Sequence, residues 1–299
     1  MIYRIAFYSR EKGRIENPRA VPEGEQYQAI REQMLALVDE LEQRQAQRWE
    51  IRSRDGLKLS ARFYMGKKGA PLEICFHGYR GSAIRDFCGG SKIAFKNGHH
   101  LLLVDQRAHG RSEGKCITFG VKERYDCLDW ARYAVERLGA GTEVFLSGVS
   151  MGAATVLMAS ELPLPENVRG IVADCPYSSP EEIIETVGRR AGLPMGLCMP
   201  LVRMTARLRC GFSLGESSAR EAVRRAKAPI LILHGEDDRF VPCEMSREIA
   251  AAGRNIQLET FPGAGHGLSC LADMPRYEAL VKAFAARTVF AKEEKREEP

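Results

Sequence analysis

From Leu72 onwards, short apolar segments of strand length alternate with segments of helical composition. Strands that are apolar on both faces are typical of a parallel sheet, because the helices that connect parallel strands cover both faces. The alternation therefore predicts an α/β fold with a mostly parallel central sheet and helices on both faces. The predicted strands are Leu72–Phe76, Leu101–Val104, Val144–Leu146, Gly170–Ala173, Ile230–Leu233 and Ile256–Phe261.

The predicted sheet domain covers residues 49–290 and begins with a hairpin around Asp55-Gly56, a dipeptide that favours tight turns. The charged tail 291–299 offers almost nothing to bury, so we expect it to be frayed. Residues 1–48 are expected to form an N-terminal accessory region with one amphipathic helix. The apolar residues with helical spacing in it are Ile30, Met34, Leu37, Val38 and Leu41.

Residues 178–218 interrupt the alternation and are predicted to form a small helical lid inserted into the domain. Ser179-Pro180-Glu181-Glu182 has the composition of a helix start, with a capping serine, a proline and two acids in the first turn. The rest of the insert is rich in methionine, leucine and arginine. Three interpretations remain open: a lid helix packed on the sheet domain, a flexible Met-lined wall for an apolar acyl group, and a membrane-surface patch.

The composition excludes several classes of protein. The 44 basic and 39 acidic residues are scattered along the chain, so the net charge of +5 does not indicate nucleic-acid binding. The nine cysteines form no C-x-x-C pair, which predicts free thiols in a reducing, cytoplasmic compartment. The sequence contains no run of about 18 apolar residues, so no integral membrane segment is predicted. The first residues also lack the apolar stretch of a signal peptide. The oligomeric state is not constrained.

A candidate nucleophile stands between a predicted strand and a predicted helix. Gly148-Val149-Ser150-Met151-Gly152 follows the strand directly and leads into a helical segment. A serine on such a sharp turn has a strained backbone, and small flanking residues supply the room that the turn needs. The helix that follows also directs its dipole towards negative charge that develops at this point. The motif therefore predicts that Ser150 is a nucleophile.

Serine needs a base, and His266 is the best placed of the six histidines. It lies in a glycine-rich loop after the last predicted strand, where its imidazole is free of core packing. An acid at the end of the preceding strand could orient this imidazole. Asp237 and Asp238 both lie there, and the pattern of residues alone does not separate them.

With these motifs, the chain resembles the α/β-hydrolase superfamily from about Trp49 to Ala286, in its esterase and prolyl-oligopeptidase-like branch. The resemblance implies an α/β-hydrolase fold and the chain order Ser150, Asp238, His266 for the catalytic residues. His234-Gly235-Glu236-Asp237-Asp238-Arg239-Phe240-Val241-Pro242 is similar to the superfamily's His-Gly-x-x-Asp-x-x-Val-Pro segment. That register implies that Asp238 is the acid.

The resemblance also implies an oxyanion hole formed by two backbone N–H groups. Met151, the residue after the nucleophile, would supply one. His77-Gly78-Tyr79-Arg80-Gly81 resembles the oxyanion loop of the superfamily, so Tyr79 would supply the other. The segment 105–112 resembles a supporting segment, with Ala108 in place of the usual glycine, and implies a scaffold role for His109.

The implied function is hydrolysis of carboxylic esters of small acyl groups by a serine hydrolase, through an acyl-enzyme. No cofactor and no metal are expected, and the expected partner is a small-molecule ester or acyl substrate. The Met-rich insert favours a short to medium acyl chain. A serine peptidase or a thioesterase of the same fold is the enzyme alternative. The alternative that is not an enzyme is a non-catalytic receptor or scaffold with this fold.

Overall fold

The computed structural model of this chain describes residues 2–9 and 17–297. Parts of the predicted N-terminal accessory region (residues 1 and 10–16) and of the predicted frayed tail (residues 298–299) lie outside the described residues. The last helix extends to Glu297 and so includes residues 291–297 of the predicted tail, and the expected fraying stays a prediction. No helix within the described ranges has both the length and the hydropathy needed to cross a bilayer.

An eight-stranded sheet forms the centre of the molecule, in the order β1-β2-β4-β3-β5-β6-β7-β8. Strand β2 pairs antiparallel with β1, with which it forms a hairpin, and with β4. Every other pair of neighbouring strands is parallel. The predicted α/β fold with a mostly parallel sheet is confirmed. The strands are β1 Gln47–Arg52, β2 Lys58–Tyr64, β3 Leu72–Phe76, β4 His100–Asp105, β5 Val144–Val149, β6 Val168–Asp174, β7 Ile230–Gly235 and β8 Ile256–Phe261.

Helices connect the parallel strands, as the alternation in the sequence predicts. The described residues also include π-helical turns at Tyr3–Phe7 and Ala206–Cys210 and a 3-10 turn at Val223–Arg225. The α-helices are α1 Glu25–Ala29, α2 Arg31–Glu42, α3 Ala83–Asp86, α4 Cys88–Asn97, α5 Glu123–Leu138, α6 Met151–Ala159, α7 Pro180–Arg190, α8 Met195–Thr205, α9 Ala219–Ala222, α10 Cys243–Ala252, α11 Ser269–Ala272 and α12 Met274–Glu297.

Apolar side chains cover both faces of the sheet, because successive residues of a strand point to opposite faces. On one face, Ile74 and Phe76 of β3 pack with helices α5, α6, α9 and α10. On the other face, Cys75 packs with α2 and α4, and Phe145 of β5 packs with α12. Helix α2 buries four of the five apolar residues whose spacing predicts it, namely Met34, Leu37, Val38 and Leu41, and the fifth, Ile30, is its partly buried N-cap.

The insert forms α7, α8 and the π-helical turn that follows α8. Ser179 caps α7 by accepting a hydrogen bond of 3.2 Å from the Glu182 N–H, which is the capping that the sequence indicates. Met195 and Met199 of α8 are buried against Met151 and Met158 of α6. This arrangement corresponds to the first of the three interpretations, a lid helix packed on the sheet domain.

Candidate active site

Ser150 lies at the sharp turn between β5 and α6, with a φ of 56° and a ψ of −115°. Its N–H donates a hydrogen bond of 2.8 Å to the carbonyl of Asp174 at the end of β6. The turn leaves no room for side chains on its neighbours. A Cβ on Gly152 would lie 1.7 Å from the carbonyl oxygen of Phe76, and one on Gly148 would lie 2.3 Å from the backbone of Gly152. The two glycines are therefore required by this geometry.

A hydrogen-bonded chain joins Ser150 to His266 and Asp238. The Ser150 Oγ lies 2.9 Å from His266 Nε2, and His266 Nδ1 lies 2.6 Å from Asp238 Oδ2. A neutral imidazole that donates from Nδ1 to the carboxylate has its lone pair on Nε2, where it can accept the serine proton. The structure thus brings together the three side chains that the sequence singles out.

Asp238 is held in place by several donors. Its Oδ1 accepts hydrogen bonds from the N–H groups of Phe240 at 2.7 Å and Val241 at 2.8 Å. Burial acts to raise the pKa of Asp238, but the His234 and His266 side chains lower it more, so the pKa lies well below its ordinary value. The carboxylate is therefore charged at neutral pH. Asp237, the neighbouring candidate, is exposed.

The loop after β3 presents one unused backbone donor beside Ser150. The N–H of Gly78 donates to Asp86 Oδ2 at 2.8 Å, and the N–H of Arg80 donates to His109 Nε2 at 3.0 Å. Between them, the N–H of Tyr79 has no acceptor among the described residues. The loop is close to the serine, since a Cβ on Gly78 would lie 3.4 Å from the Ser150 Cβ.

The N–H of Met151, the first residue of α6, also has no acceptor within the part of the chain that the structure describes. It lies at the N-terminus of a helix, where backbone N–H groups and the helix dipole favour negative charge. Tyr79 and Met151 are the two donors that the sequence analysis names.

A cavity of about 460 Å³ opens at Ser150 and His266. The N-terminal region forms one wall of it, which the sequence analysis did not predict. No residue of the insert lines it, so the interpretation of the insert as a Met-lined wall finds no support in this cavity. The short helix α1, which has too few apolar residues for a periodic signal, supplies part of the wall. The lining includes Pro22, Glu23, Gln26, Tyr27, Met34, Arg85, Gly90, Val149, Arg239, Phe240 and Leu271.

A second buried carboxyl group lies behind the serine, and the sequence analysis did not single it out. Asp174 ends β6 and accepts a hydrogen bond of 2.8 Å from the Ser269 hydroxyl. Burial raises its pKa to about 6, although the Ser269 hydrogen bond and the nearby imidazoles act in the opposite direction. Its position at the carboxyl end of a strand adjacent to β5 was the signal that could have identified it.

Cys175 completes the one group of three potential metal ligands that occurs within the described ranges. Its Sγ, a carboxylate oxygen of Asp238 and a ring nitrogen of His266 lie within 4.8 Å of one another. Both nitrogens of His266 already have hydrogen-bond partners, and burial raises the pKa of the Cys175 thiol well above its usual range. Zinc binds thiolate and free imidazole nitrogen, so this arrangement does not fit a zinc site.

The comparisons with known proteins agree with this architecture. The model of a family described as the alpha/beta hydrolase family matches residues 74–282. The uncharacterized protein YqkD of Bacillus subtilis is 24% identical over 189 residues, which are 62% of this chain and 62% of that protein. The chain therefore spans less than two thirds of the length of this relative.

Two further proteins carry functional names. The bifunctional esterase/perhydrolase DCH of Acinetobacter calcoaceticus is 22% identical over 271 residues, which cover 73% of this chain and 92% of that protein. The structure of the esterase Pf2001 of Pyrococcus furiosus superposes with a TM-score of 0.66 at 23% identity. That superposition covers 83% of this chain and 94% of the esterase.

Proposed function

Because this chain belongs to the α/β-hydrolase family, we propose that it is a serine hydrolase that cleaves carboxylic esters of small acyl groups. The observation that carries the proposal is the continuous hydrogen-bonded chain from the Ser150 hydroxyl through His266 to Asp238, with distances of 2.9 and 2.6 Å. The names of DCH and Pf2001, which describe esterases, favour esters as the substrate class.

The residues have distinct roles in this mechanism. Ser150 Oγ attacks the carbonyl carbon of the ester while His266 Nε2 takes the serine proton. Asp238 keeps the imidazole in the required tautomer and stabilises the imidazolium. The developing oxyanion accepts hydrogen bonds from the unused N–H groups of Tyr79 and Met151. His266 then protonates the leaving alcohol, and a water molecule that it activates hydrolyses the acyl-enzyme.

The cavity supports a small apolar acyl group. Its volume of about 460 Å³ lies within the range of small-molecule sites. Val149, Met34, Phe240 and Leu271 contribute apolar side chains to its lining, which also includes Glu23 and Arg85. The family match does not distinguish the esterase branch from the prolyl-oligopeptidase-like branch, so amide and thioester substrates belong in the first assay.

The test is hydrolysis of p-nitrophenyl esters from acetyl to palmitoyl, beside matched thioester and peptide-amide substrates, with a fluorophosphonate label. Ser150→Ala is expected to lose labelling and to lower kcat at least about 1,000-fold. Ser160→Ala, a buried serine at the other end of α6, is the control and should keep both. Preference for amides or thioesters would overturn the ester assignment. If the wild type shows neither labelling nor turnover, the result would favour the non-catalytic receptor.

A further inference from the structure

Helix α8 has an exposed apolar stripe on the side that faces away from the sheet domain. The stripe has five large apolar residues with the spacing of one helical face, and it runs from Leu193, just before α8, to Leu208 in the π-helical turn Ala206–Cys210. Their exposed fractions range from 49% to 76%, whereas Met195, Met199 and Val202 on the opposite side are buried. We call the exposed set the α8 stripe: Leu193, Leu197, Leu201, Met204 and Leu208.

The charged residues in the segment that carries the stripe are all basic. Residues 186–215 contain five arginines and no acidic residue, although acidic residues are frequent elsewhere in the chain. Arg189 pairs with Glu185 and Arg203 with Glu181. Arg207 and Arg209, which flank Leu208, are exposed and form no ion pair with any residue in the described ranges. The stripe is therefore bordered by uncompensated positive charge.

The apolar surface continues beyond α8. The turn Tyr3–Phe7 packs next to Ala206–Cys210, and the ring of Phe7 lies 5.8 Å from that of Phe212. Ile5 of this turn is 62% exposed, and Arg4 beside it is exposed as well. A single exposed leucine needs no explanation, but a contiguous apolar face indicates an interaction surface.

We propose that the α8 stripe and its arginines dock onto the surface of an anionic lipid membrane. An amphipathic helix with an apolar face and flanking cations lies in the interface between headgroups and acyl chains, and anionic lipids attract the cations. The arginine stems can lie along the apolar region while their guanidinium groups reach the phosphates.

A second copy of the chain fits this surface less well. A two-fold dimer places the same patch against itself, so Arg207 and Arg209 would face arginines of the other copy without an acid to neutralise them. A membrane supplies both the apolar phase and the negative charge. The surface therefore matches lipid in both of its properties.

The stripe adjoins the rim of the cavity. Arg190, three residues before Leu193, donates hydrogen bonds to the carbonyls of Arg239 and Phe240, which both line the cavity. The Phe240 ring is half-exposed and its centre lies 5.0 Å from that of His266. If the proposed ester hydrolysis holds, the docked protein has the opening of its cavity beside the interface, where apolar esters accumulate.

The first measurement is flotation of the purified full-length protein with vesicles of equimolar phosphatidylcholine and phosphatidylglycerol, and with vesicles of phosphatidylcholine alone. We expect binding to the anionic vesicles that weakens as salt is added, because salt screens exposed charges. Turnover of a soluble acetyl ester is measured on the same samples. Flotation does not depend on turnover, so failure of the surface and failure of the proposed function give different results.

Two pairs of variants locate the surface. The double variant Leu197→Asp with Leu208→Asp should lose anionic-vesicle binding at least about tenfold, because it places charge within the apolar face. Met65→Asp, at an apolar residue that is also highly exposed, is its control and should bind as the wild type does. Arg207→Gln with Arg209→Gln should weaken binding by about fivefold per arginine. Its control of equal charge change is Lys227→Gln with Arg254→Gln.

Lys227 and Arg254 suit this control because they precede β7 and β8. They therefore lie at the amino-terminal ends of the parallel strands, whereas Ser150 lies at the carboxyl-terminal end of β5. All four variants should keep wild-type turnover of the soluble ester. Absence of wild-type flotation would overturn the proposal, as would equal binding by stripe and control variants. A concentration-dependent dimer that Leu197→Asp dissociates, without vesicle binding, would assign the surface to a second copy and overturn it as well.

Discussion

The hydroxyl of Tyr27 donates a hydrogen bond of 2.8 Å to the backbone carbonyl of His266, 239 residues further along the chain. Helix α1 thereby contacts the loop that carries the proposed base. A Cβ on Gly265 would overlap the side chain of Gln26, so the helix and the loop are in close contact. The N-terminal region thus contacts the loop of His266 and contributes to the wall of the cavity.

This contact predicts that Tyr27→Phe lowers kcat by about three- to tenfold, which corresponds to the loss of one hydrogen bond that positions the His266 loop. Steady-state kinetics on a soluble ester measures it. Tyr133→Phe is the matched control, since the Tyr133 hydroxyl accepts a surface hydrogen bond from Arg137 on α5. Equal kinetics for both variants would show that the contact does not position His266.

The conformation of the loop after β3 depends on Asp86, whose carboxylate accepts the N–H of Gly78 next to the proposed oxyanion donor Tyr79. Asp86→Ala is expected to lower kcat about 100-fold, as loss of an oxyanion-hole donor does, because the loop is no longer fixed. Asp86→Asn keeps an oxygen acceptor and should recover most of the activity. If the asparagine variant is as slow as the alanine variant, the charge of Asp86 matters rather than its hydrogen bond.

Gly152→Ala should lower the free energy of unfolding by about 3 kcal/mol or more, since the added methyl would overlap the Phe76 carbonyl. Urea denaturation measures the loss. Gly196 occupies the same second position in helix α8, and a Cβ there meets nothing within 4 Å. Gly196→Ala should raise stability by up to about 1 kcal/mol. Similar losses in both variants would contradict the steric explanation.

Asp174 predicts a pH dependence of stability. Its folded pKa of about 6 lies above its usual value, so its contribution to stability is fully present at low pH and declines as the pH rises through that range. Asp174→Asn removes the ionisation. The free energy of unfolding of the variant relative to wild type should therefore increase by roughly 2 kcal/mol between about pH 4 and about pH 7. A difference that stays constant across this range would exclude the raised pKa.

The cavity predicts a change in acyl-chain preference for Gly90→Leu. Gly90 lines the cavity from α4, and a Cβ there meets only the Phe87 ring at 3.6 Å, so a longer side chain can extend into the space. We expect kcat/KM to fall for the longer esters of the series and to change little for the acetyl ester. Gly90→Ala, which adds one methyl, should keep the wild-type profile. An unchanged profile in the leucine variant would place the acyl group elsewhere.

The strands and the sharp turn at Ser150 could be predicted because their determinants are local. β3 and β8 have the bounds that the apolar runs Leu72–Phe76 and Ile256–Phe261 predict. Ser150 follows from the two glycines and the strand before it. The choice between Asp237 and Asp238 is not local, since it depends on which carboxylate the chain turns towards His266, and only the family register separated them.

The cavity wall could not be predicted for the same reason. Helix α1 has five residues, and what fixes its place is a contact with a loop near the other end of the chain. Ala108 shows a further limit. The sequence marks it as a replacement of the usual glycine, and it adopts a φ of 63°, a backbone conformation that glycine adopts without strain. Ala108 is buried and its N–H donates a hydrogen bond of 2.9 Å to the carbonyl of Glu113, a contact that no local pattern predicts.

The order in which the strands occur along the chain also sets the order in which the site is made. Ser150 and His266 are 116 residues apart. At ordinary rates of translation, the serine leaves the ribosomal decoding site roughly 6 to 23 seconds before the histidine is added. During that interval the growing chain contains the proposed nucleophile without the proposed base. The hydrogen-bonded chain on which the proposed function rests can therefore form only after His266 has been added.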